Sequence, residues 1–364
     1  MELSPSFWKD KRVLITGHTG FKGGWLSIWM QRLGATVAGY ALDPPTETSL
    51  FDAAQVVESM TSVIADVRDL HRLDGFVSEF RPQVIFHMAA QSLVRRSYAD
   101  PVETYGCNVM GTVHVLEAAR RCEDVRAVVN VTSDKCYENR EWPRGYREND
   151  PMGGHDPYSS SKGCAELITS AYRRSYFSSE FATGRSAPLA LASARAGNVI
   201  GGGDWAEDRL VPDIMRAFLS DQAVVIRNPG SVRPWQHVLE PLRGYLTLAE
   251  RLYNEGSDFA QAWNFGPSDN DARPVGWLVD RLCSLWGPSA RWEQDGAQAQ
   301  PHEAYFLKLD CSKARAELGW QPRLDLEEAL SWTVDWYKCF EARGDLRALT
   351  EDQIAGFESG QRSI

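Results

Sequence analysis

The sequence predicts an α/β protein with a Rossmann-like doubly wound parallel sheet and a smaller C-terminal substrate lobe. Short runs of β-branched residues alternate with longer helical segments through the first half of the chain. A glycine-rich segment, GHTGFKG (17–23), lies between the first strand and the first helix. Beyond residue 198 the chain becomes rich in Gly, Pro and Asp between helices, which is typical of a loop-rich lobe over a site.

Six strands are predicted. RVLIT (12–16) is the first, and its apolar run is expected for a parallel strand buried on both faces. The others are TVAGYAL (36–42), SVIAD (62–66), QVIFHMA (83–89), RAVVNVTS (126–133) and PLALASAR (188–195).

Helices are predicted between and after these strands. The first ends at Leu33, where Gly34 suits the C-cap. The others span about 69–80, 101–121, 157–180, 208–220, 239–254, 274–285 and 326–343. We assign residues 1–195 to the Rossmann domain, with later strands or helices contributing to it. Residues 196–347 form mainly the substrate lobe, and 348–364 a polar, peripheral tail.

Composition excludes several classes of partner. The 364-residue chain has a net charge of −10, whereas nucleic acid or an anionic membrane requires a basic face. No apolar run approaches the roughly 20 residues of a membrane helix, and the N-terminus has no apolar signal core. Seven cysteines without a CxxC pair favour free thiols in a reducing compartment. We expect a cytoplasmic protein without a metal site.

The glycine spacing of the 17–23 loop is GxxGxxG. Gly17 permits a tight turn, Gly20 lets the backbone approach a diphosphate, and Gly23 permits close packing of helix on sheet. The helix N-terminus attracts phosphate. The strand–loop–helix context favours dinucleotide binding over an ordinary glycine turn. Lys22 either touches phosphate or is an exposed loop lysine. The other predicted cofactor contacts in the loop are Thr19 and Phe21.

The cofactor is predicted to be NAD. Asp43 follows the second strand about where an acid binds the ribose hydroxyls, or it begins the next turn. No Lys or Arg occurs between Arg32 and Arg68, so a 2′-phosphate would have no cation there. Asp66 either accepts from the adenine amino group or caps the next helix. Val67, Ala89 and Ala90 complete the predicted cofactor contacts.

YSSSK places Tyr158 and Lys162 at i and i+4, on one face of a helix. A lysine ammonium there, with the positive nicotinamide, lowers the pKa of the phenol. Tyr158 can then act as a base toward an alcohol while hydride leaves to NAD. The motif follows a fifth strand that ends in TSD (132–134), which makes chance occurrence a poor explanation.

Several segments carry a family resemblance: the GxxGxxG loop, DVRD (66–69), HMAAQS (87–92), TSD (132–134), YSSSK (158–162) and the run 310–322 with its LGW. Together they cover nearly the whole chain and resemble the extended short-chain dehydrogenase/reductase family. Within it, SDKCYEN (133–139), RAGNVIGGGDW (195–205) and RPWQHV (233–238) are most similar to nucleotide-sugar 4,6-dehydratases, in particular those acting on CDP-glucose.

The resemblance implies a lyase that makes CDP-4-dehydro-6-deoxyglucose, for deoxysugar biosynthesis of surface polysaccharide such as O-antigen. Tyr158 removes the proton from the hydroxyl at carbon 4, and hydride goes to NAD. The ketone acidifies the proton at carbon 5, water is lost across carbons 5 and 6, and hydride returns to carbon 6. Because helices at 101–121 and 157–180 commonly form a dimer interface in this family, a homodimer is expected.

Elimination of water needs a base at carbon 5 and an acid for the departing hydroxyl. Many dehydratases of the family have an Asp-Glu pair there, and this chain has Asp134-Lys135. Asp134 can be the acid if burial raises its pKa. Lys135 is the base if neutral, or it orients Asp134 or stabilises the enolate, or the two form a structural ion pair. Ser133 hydrogen-bonds the carbon 4 oxygen or caps the strand.

A nucleoside diphosphate needs local cations. Arg209, Arg227 and Arg233 are the candidates, because arginine suits bidentate phosphate contacts, although a single surface arginine is more often solvated. Asn198 and His237 contact the substrate, or they are a turn residue and a buried structural histidine. The remaining predicted substrate contacts are Gln91, Arg96 and Tyr305.

Two other functions stay open on the sequence. One is another nucleotide-sugar 4,6-dehydratase or a 4-epimerase acting on a dTDP, GDP or UDP sugar. An epimerase would need no acid/base pair at 134–135, so that pair argues against it. The other is a catalytically silent NAD-binding protein, which would be free to lose Tyr158 and Lys162.

Overall fold

The computed structural model describes residues 3–177, 188–295 and 307–360. In these ranges the strands are β1 (Arg12–Thr16), β2 (Thr36–Ala41), β3 (Thr61–Ile64), β4 (Val84–His87), β5 (Ala127–Val131), β6 (Ala190–Ala196), β7 (Asn198–Ile200), β8 (Val224–Ile226), β9 (Val232–His237), β10 (Ala262–Phe265), β11 (Ala272–Pro274) and β12 (Trp292–Gln294). Seven of them form one sheet in the order β10-β6-β5-β4-β1-β2-β3, with every neighbouring pair parallel. The predicted doubly wound sheet is confirmed.

The helices of the described residues are α1 (Pro5–Trp8), α2 (Phe21–Arg32), α3 (Leu50–Ala53), α4 (Leu70–Phe80), α5 (Val94–Ala99), α6 (Pro101–Tyr105), α7 (Gly111–Arg121), α8 (Pro157–Ser175), α9 (Leu210–Leu219), α10 (Leu239–Glu255), α11 (Val275–Trp286), α12 (Ser312–Glu317), α13 (Leu326–Glu341) and α14 (Leu346–Ser359). A π-helical turn over residues 106–110 joins α6 to α7. None of these helices is long and apolar enough to cross a membrane.

The sheet buries both faces, as its apolar strands require. In β1, Val13 and Ile15 point to one face and pack in a cluster with Trp25 of α2. Leu14 points to the opposite face and packs in a cluster with Leu116 of α7. Alternate side chains of one strand therefore anchor helices on both faces of the sheet, and the phosphate loop lies between the carboxyl end of β1 and the start of α2.

Two segments differ from the sequence-based expectation. Residues 262–265 were predicted to lie in a loop-rich lobe but form β10, because Trp263 and Phe265 are fully buried against β6 and α10. The segment from 348, predicted to be a peripheral tail, belongs to α14 up to residue 359. Its Phe357 is buried edge-on against Trp29 of α2, so this helix is part of the core.

Three fully or almost fully buried histidines are neutral in the folded protein: His18, His87 and His237. Burial lowers their pKa values to about 4, about 3 and about 3, and the charge of Lys162 adds to the effect at His87. The unfolded chain would hold these groups at about 6.5. As the pH falls below that value, the unfolded state binds protons at these imidazoles and the folded state does not.

We therefore expect the stability contributed by these histidines to be complete above pH 6.5 and to be lost progressively as the pH falls toward their folded pKa values. The loss is about 1.4 kcal/mol per pH unit for each ring. His237→Phe should reduce the slope of the unfolding free energy against pH by the contribution of one histidine. His71→Phe, at an exposed position, should leave that slope unchanged. Urea unfolding midpoints between pH 7 and 4 measure both slopes, and equal slopes would contradict the expectation.

Candidate active site

The candidate site lies along the carboxyl edge of the sheet, where four strands end side by side. β1 leads into the phosphate loop, β4 into residues 88–92, β5 into the TSDK segment and β6 into Gly197. Ligands of open α/β sheets bind at this edge, near the point where the strand order reverses. Residues far apart in the sequence are therefore brought to one cleft.

The 17–23 loop has the geometry of a dinucleotide cradle. Gly17 has φ of +80°, and a Cβ on it would lie 2.8 Å from the backbone nitrogen of Ala89. A Cβ on Gly23 would lie 2.1 Å from the carbonyl oxygen of Gly17. The N-cap of α2 is Gly20, which has no side chain to occupy the helix N-terminus. Backbone and helix end are both open to a diphosphate, so these residues fit NAD.

The loop's neighbours hold its shape. The Thr19 hydroxyl donates to the carbonyl of Leu42 at 2.9 Å, which ties the loop to the end of β2. The backbone N–H of Ala89 donates to the Thr16 hydroxyl at 3.2 Å, and Ala90 follows it, partly buried. Phe21 lies against Gly201, whose added Cβ would be 3.2 Å from its ring. Its side chain therefore reaches the segment after β7.

The part of the site predicted to bind the adenosine of NAD contains two carboxylates, one paired with an arginine and one exposed. The Asp66 carboxylate accepts from the backbone and guanidinium of Arg68, at 2.8 Å for each of the backbone N–H and Nε, and these hydrogen bonds hold its pKa below the usual range although burial opposes them. Asp43 is exposed beyond β2. Val67 is buried, and its carbonyl oxygen lies 3.0 Å from Nδ1 of His114.

The catalytic turn follows β5. Ser133 begins a short 3₁₀ helix over residues 134–136, where its hydroxyl donates to Oδ1 of Asp134 at 3.0 Å and accepts from the backbone N–H of Lys135 at 3.2 Å. The Ser133 side chain lies close enough to the phenol of Tyr158 to lower its pKa, and the charge of Asp134 acts in the opposite direction. The turn thus places Ser133 and Asp134 near the tyrosine.

Tyr158 and Lys162 enter the same cleft from the first turns of α8, which Asp156 caps at the backbone N–H of Ser159. Both side chains are buried. Nζ of Lys162 donates to the carbonyl oxygen of Val131 at the end of β5, at 3.4 Å. Helix and strand therefore hold the pair against the catalytic turn.

Burial dominates the electrostatics of these groups. It raises the pKa of Asp134, which the positive charge of Lys135 only partly opposes. It lowers the pKa of Lys162 to about 8. It raises the pKa of Tyr158 to about 12, and the Ser133 side chain opposes this effect. The lowered pKa predicted from the sequence depends on Lys162 together with the positive nicotinamide, and it stays a prediction.

Two further cations share this cleft. Burial lowers the pKa of Lys22 to about 8, and the charges of Arg209 and Lys162 add to the effect while Asp134 opposes it. The predicted loop lysine therefore faces the catalytic groups. Arg209 donates to Asp204 and to the hydroxyl of Ser92, each at 3.0 Å, which joins the segment before α9 to the segment after β4.

Three predicted substrate contacts already have partners within the protein. His237 is fully buried between the indoles of Trp25 and Trp332, so it is the structural histidine of the two readings. The Gln91 side chain is buried, donating to the Leu93 carbonyl and accepting from its N–H, because it closes the turn after β4. Arg96 is exposed and paired with Glu103 at 2.8 Å. These three side chains are committed to protein contacts.

The remaining predicted contacts come from the later part of the chain. Asn198 lies in β7 beside Trp235 and is partly buried. Arg233, in β9, donates to the carbonyl of Val232 at 3.0 Å. Arg227 is exposed after β8. Tyr305 lies outside the described residues.

The structure adds residues that the sequence analysis missed. Asn108 lies in the π-helical turn, and its amide donates to the carbonyl of Gln91 at 2.9 Å and to the hydroxyl of Ser161 at 2.8 Å. It joins the segment after β4 to α8 between Tyr158 and Lys162. No pattern in the sequence marks a π turn. A buried ion pair, Glu166 with Arg195, was also missed.

Comparison with known proteins identifies close relatives. Over 98% of this chain and 99% of the relative, the sequence is 55% identical to CDP-glucose 4,6-dehydratase of Salmonella typhimurium. It is 28% identical to dTDP-glucose 4,6-dehydratase of Streptomyces antibioticus, over 90% and 92% of the two chains. Among solved structures, dTDP-glucose 4,6-dehydratase of Bacillus anthracis in complex with NAD has the same fold, with a TM-score of 0.73 at 22% identity over 93% and 99% of the chains.

The family model for the NAD dependent epimerase/dehydratase family matches residues 13–265, which include the phosphate loop, the catalytic turn and the start of α8. This agrees with the predicted use of NAD and with the geometry of the loop. The chain belongs to the NAD-dependent epimerase/dehydratase family, which confirms the predicted resemblance and the NAD cofactor.

Proposed function

We propose that this protein is an NAD-dependent CDP-glucose 4,6-dehydratase, a hydro-lyase that forms CDP-4-dehydro-6-deoxyglucose. The observation that carries the proposal is that Ser133 hydrogen-bonds both residues of the Asp134-Lys135 turn, and that Ser133 and Asp134 lie close enough to Tyr158 to change the pKa of its phenol. One cleft thus holds the tyrosine–lysine pair of an oxidation and a second acid–amine pair for an elimination. The 55% identity to the Salmonella CDP-glucose dehydratase supports the choice of nucleotide.

The first task of the site is to remove a proton from the hydroxyl at carbon 4. NAD, when bound, accepts the hydride from that carbon and later returns a hydride to carbon 6. The oxygen of Tyr158 takes the hydroxyl proton, and the ammonium of Lys162 stabilises the phenolate. Burial raises the pKa of Tyr158 to about 12, so the positive charges of Lys162 and the nicotinamide would have to lower it for the tyrosine to act as a base.

The second task is the loss of water from the 4-keto sugar. Lys135 takes the proton from carbon 5, which the neighbouring ketone has acidified. Asp134, whose pKa burial raises, donates its proton to the hydroxyl that leaves carbon 6. The proton from Asp134 and the hydroxide from carbon 6 leave together as water. The C5–C6 double bond then takes a hydride at carbon 6 and a proton at carbon 5.

The proposal also covers the residues that bind the substrate. Arg209 and Lys22 supply positive charge inside the cleft. Arg233, Arg227 and Asn198, on the proposed second lobe, are the residues that would bind a nucleoside diphosphate.

A homodimer is supported by apolar side chains exposed on the two helices expected at the interface. They are Val102, 81% exposed, with Met110 and Leu167, 48% and 62% exposed. We place the enzyme in the cytoplasm, where NAD and sugar nucleotides are found.

Mass spectrometry tests the function. The protein would be incubated with NAD and, separately, with CDP-, dTDP-, GDP- and UDP-linked hexoses. We expect CDP-glucose alone to lose one water without net formation of NADH. Loss of water from another nucleotide sugar would change the substrate, sugar inversion at unchanged mass would indicate an epimerase, and no change with any of them would indicate a silent NAD-binding protein.

Gly197, which follows β6, makes room for the catalytic carboxyl. A Cβ at this position would lie 2.8 Å from Oδ2 of Asp134. We expect Gly197→Ala to displace the acid and to slow water elimination by about 100-fold, as a misplacement of about 1 Å can do. Gly75→Ala, in α4 with nothing within 4 Å of the added methyl, is the control. Product formation followed by mass spectrometry would show whether Gly197→Ala retains normal turnover, which would contradict this role.

A further inference from the structure

A buried ion pair lies behind the catalytic turn. Glu166 is one helical turn beyond Lys162 on α8, and Arg195 lies on β6. The guanidinium donates to both carboxylate oxygens, at 2.9 Å from Nε and 2.7 Å from Nη2. The two side chains are 3% and 4% exposed, so the pair is isolated from solvent and is not a surface salt bridge of small consequence.

The hydrogen-bond partners of this pair flank the catalytic turn. Thr132, the residue before Ser133, donates from its hydroxyl to Oε1 of Glu166 at 2.5 Å. Tyr137, two residues after Lys135, accepts at its hydroxyl from Nη1 of Arg195 at 2.6 Å and donates to Asn264 at 2.8 Å. The turn is therefore attached to the ion pair at both of its ends.

The same pair also fixes the distance to the tyrosine. Tyr158, Lys162 and Glu166 recur every four residues and share one face of α8. A shift of the turn relative to Tyr158 would have to break a hydrogen bond to Glu166 or Arg195. Such a break would leave a buried charge with fewer partners, which is costly in a dry interior. The geometry thus resists small displacements of Asp134 and Lys135.

We propose that Glu166, Arg195 and Tyr137 form a clamp that positions the Asp134-Lys135 turn for water elimination. The clamp residues touch no reacting atom, so they are positioning residues. The proposal rests on the dehydratase function proposed above. It assigns the clamp chiefly to the second chemical step, because Tyr137 holds the end of the turn beyond Lys135, whereas Tyr158 and Lys162 are held by α8 itself.

The test is Tyr137→Phe, which removes the hydroxyl but keeps the ring that stacks on Tyr146. With the NAD-loaded enzyme and CDP-glucose, we expect oxidation at carbon 4 to persist and water loss to slow by about 10- to 100-fold. Absorbance at 340 nm should then rise toward one equivalent per site, and the trapped sugar should be the 4-keto hexose. The KM for CDP-glucose should stay unchanged while kcat falls.

Ser193→Ala is the matched control. Its hydroxyl donates to Oε2 of Glu166 at 2.7 Å but is not attached to the turn, so it should cause no accumulation of reduced cofactor. Equal slowing of both steps in Tyr137→Phe, or normal turnover with only a lower Tm, would overturn the clamp. Glu166→Gln, which keeps the shape and removes the charge, should repeat the accumulation; its absence in a folded protein would also count against the clamp.

Hydrogen–deuterium exchange separates this proposal from the proposed function. Exchange of the backbone amides of residues 133–137 is measured without substrate in wild type, Tyr137→Phe and Ser193→Ala. We expect at least a tenfold faster exchange of this segment in Tyr137→Phe alone. If wild type converts no sugar nucleotide, the proposed function fails, but exchange still decides whether the clamp holds the turn. Unchanged exchange in Tyr137→Phe would overturn the clamp whatever the substrate.

Discussion

Replacement of Lys135 by methionine is expected to stop water elimination while oxidation at carbon 4 continues. Methionine keeps much of the length of the side chain and removes the amine that we propose takes the proton from carbon 5. General acid–base catalysis is worth about 100- to 10,000-fold, so elimination should slow by at least about 100-fold. Rapid quenching and mass spectrometry would show the 4-keto hexose with its water retained, together with absorbance of NADH at 340 nm.

Solvent deuterium gives a second readout of the same variant. Wild type should incorporate deuterium at carbon 5, because the proton there is removed and replaced, and Lys135→Met should not. Lys9→Met, at an exposed position remote from the turn, is the control. Intact dehydration with normal labelling in Lys135→Met would remove Lys135 from the mechanism and leave the carbon 5 base to be found elsewhere.

Replacement of Tyr158 by phenylalanine is expected to stop both chemical steps. Elimination depends on the ketone, and without the phenol oxygen no group takes the proton from the carbon 4 hydroxyl. We expect turnover to fall by about 1,000-fold or more, with no transient absorbance at 340 nm. This absence distinguishes Tyr158→Phe from Lys135→Met, in which reduced cofactor accumulates.

Tyr245→Phe is the matched control for this variant. Tyr245 is fully buried, and its hydroxyl has no hydrogen-bond partner among the described residues. Removing an unpaired buried hydroxyl should leave turnover unchanged and stability equal or higher. Reduced cofactor formed at a normal rate by Tyr158→Phe would show that another group is the base for carbon 4.

Much of the framework was predictable because its signals are local. The apolar run of β1 required burial on both faces, and the structure provides it. The glycines at 17 and 23 were expected where backbone atoms approach closely, and added methyl groups would collide there. Tyr158 and Lys162 at i and i+4 share a helix face by geometry alone. The family was predicted by resemblance over several segments, and NAD by the absence of Lys or Arg between Arg32 and Arg68. Both are confirmed by the family model.

The predictions that differed from the structure depended on distant partners. His237 was a candidate ligand contact but lies between two indoles, one from α2 and one from α13. Residues 262–265 lacked a strand signal, yet they complete the sheet beside β6. The residues from 348 read as polar, but their few apolar side chains, such as Phe357, find a partner on α2. Each outcome was decided by what packs against the segment.

The sequence by itself determined the doubly wound fold, the dinucleotide loop and the tyrosine–lysine pair, because neighbours in the chain create those features. Only the tertiary structure decided that burial raises the pKa values of Asp134 and Tyr158. It also decided that Tyr137 meets a side chain 127 residues away. Desolvation and long-range hydrogen bonds depend on which atoms surround a group, and that is settled only when the whole chain has packed.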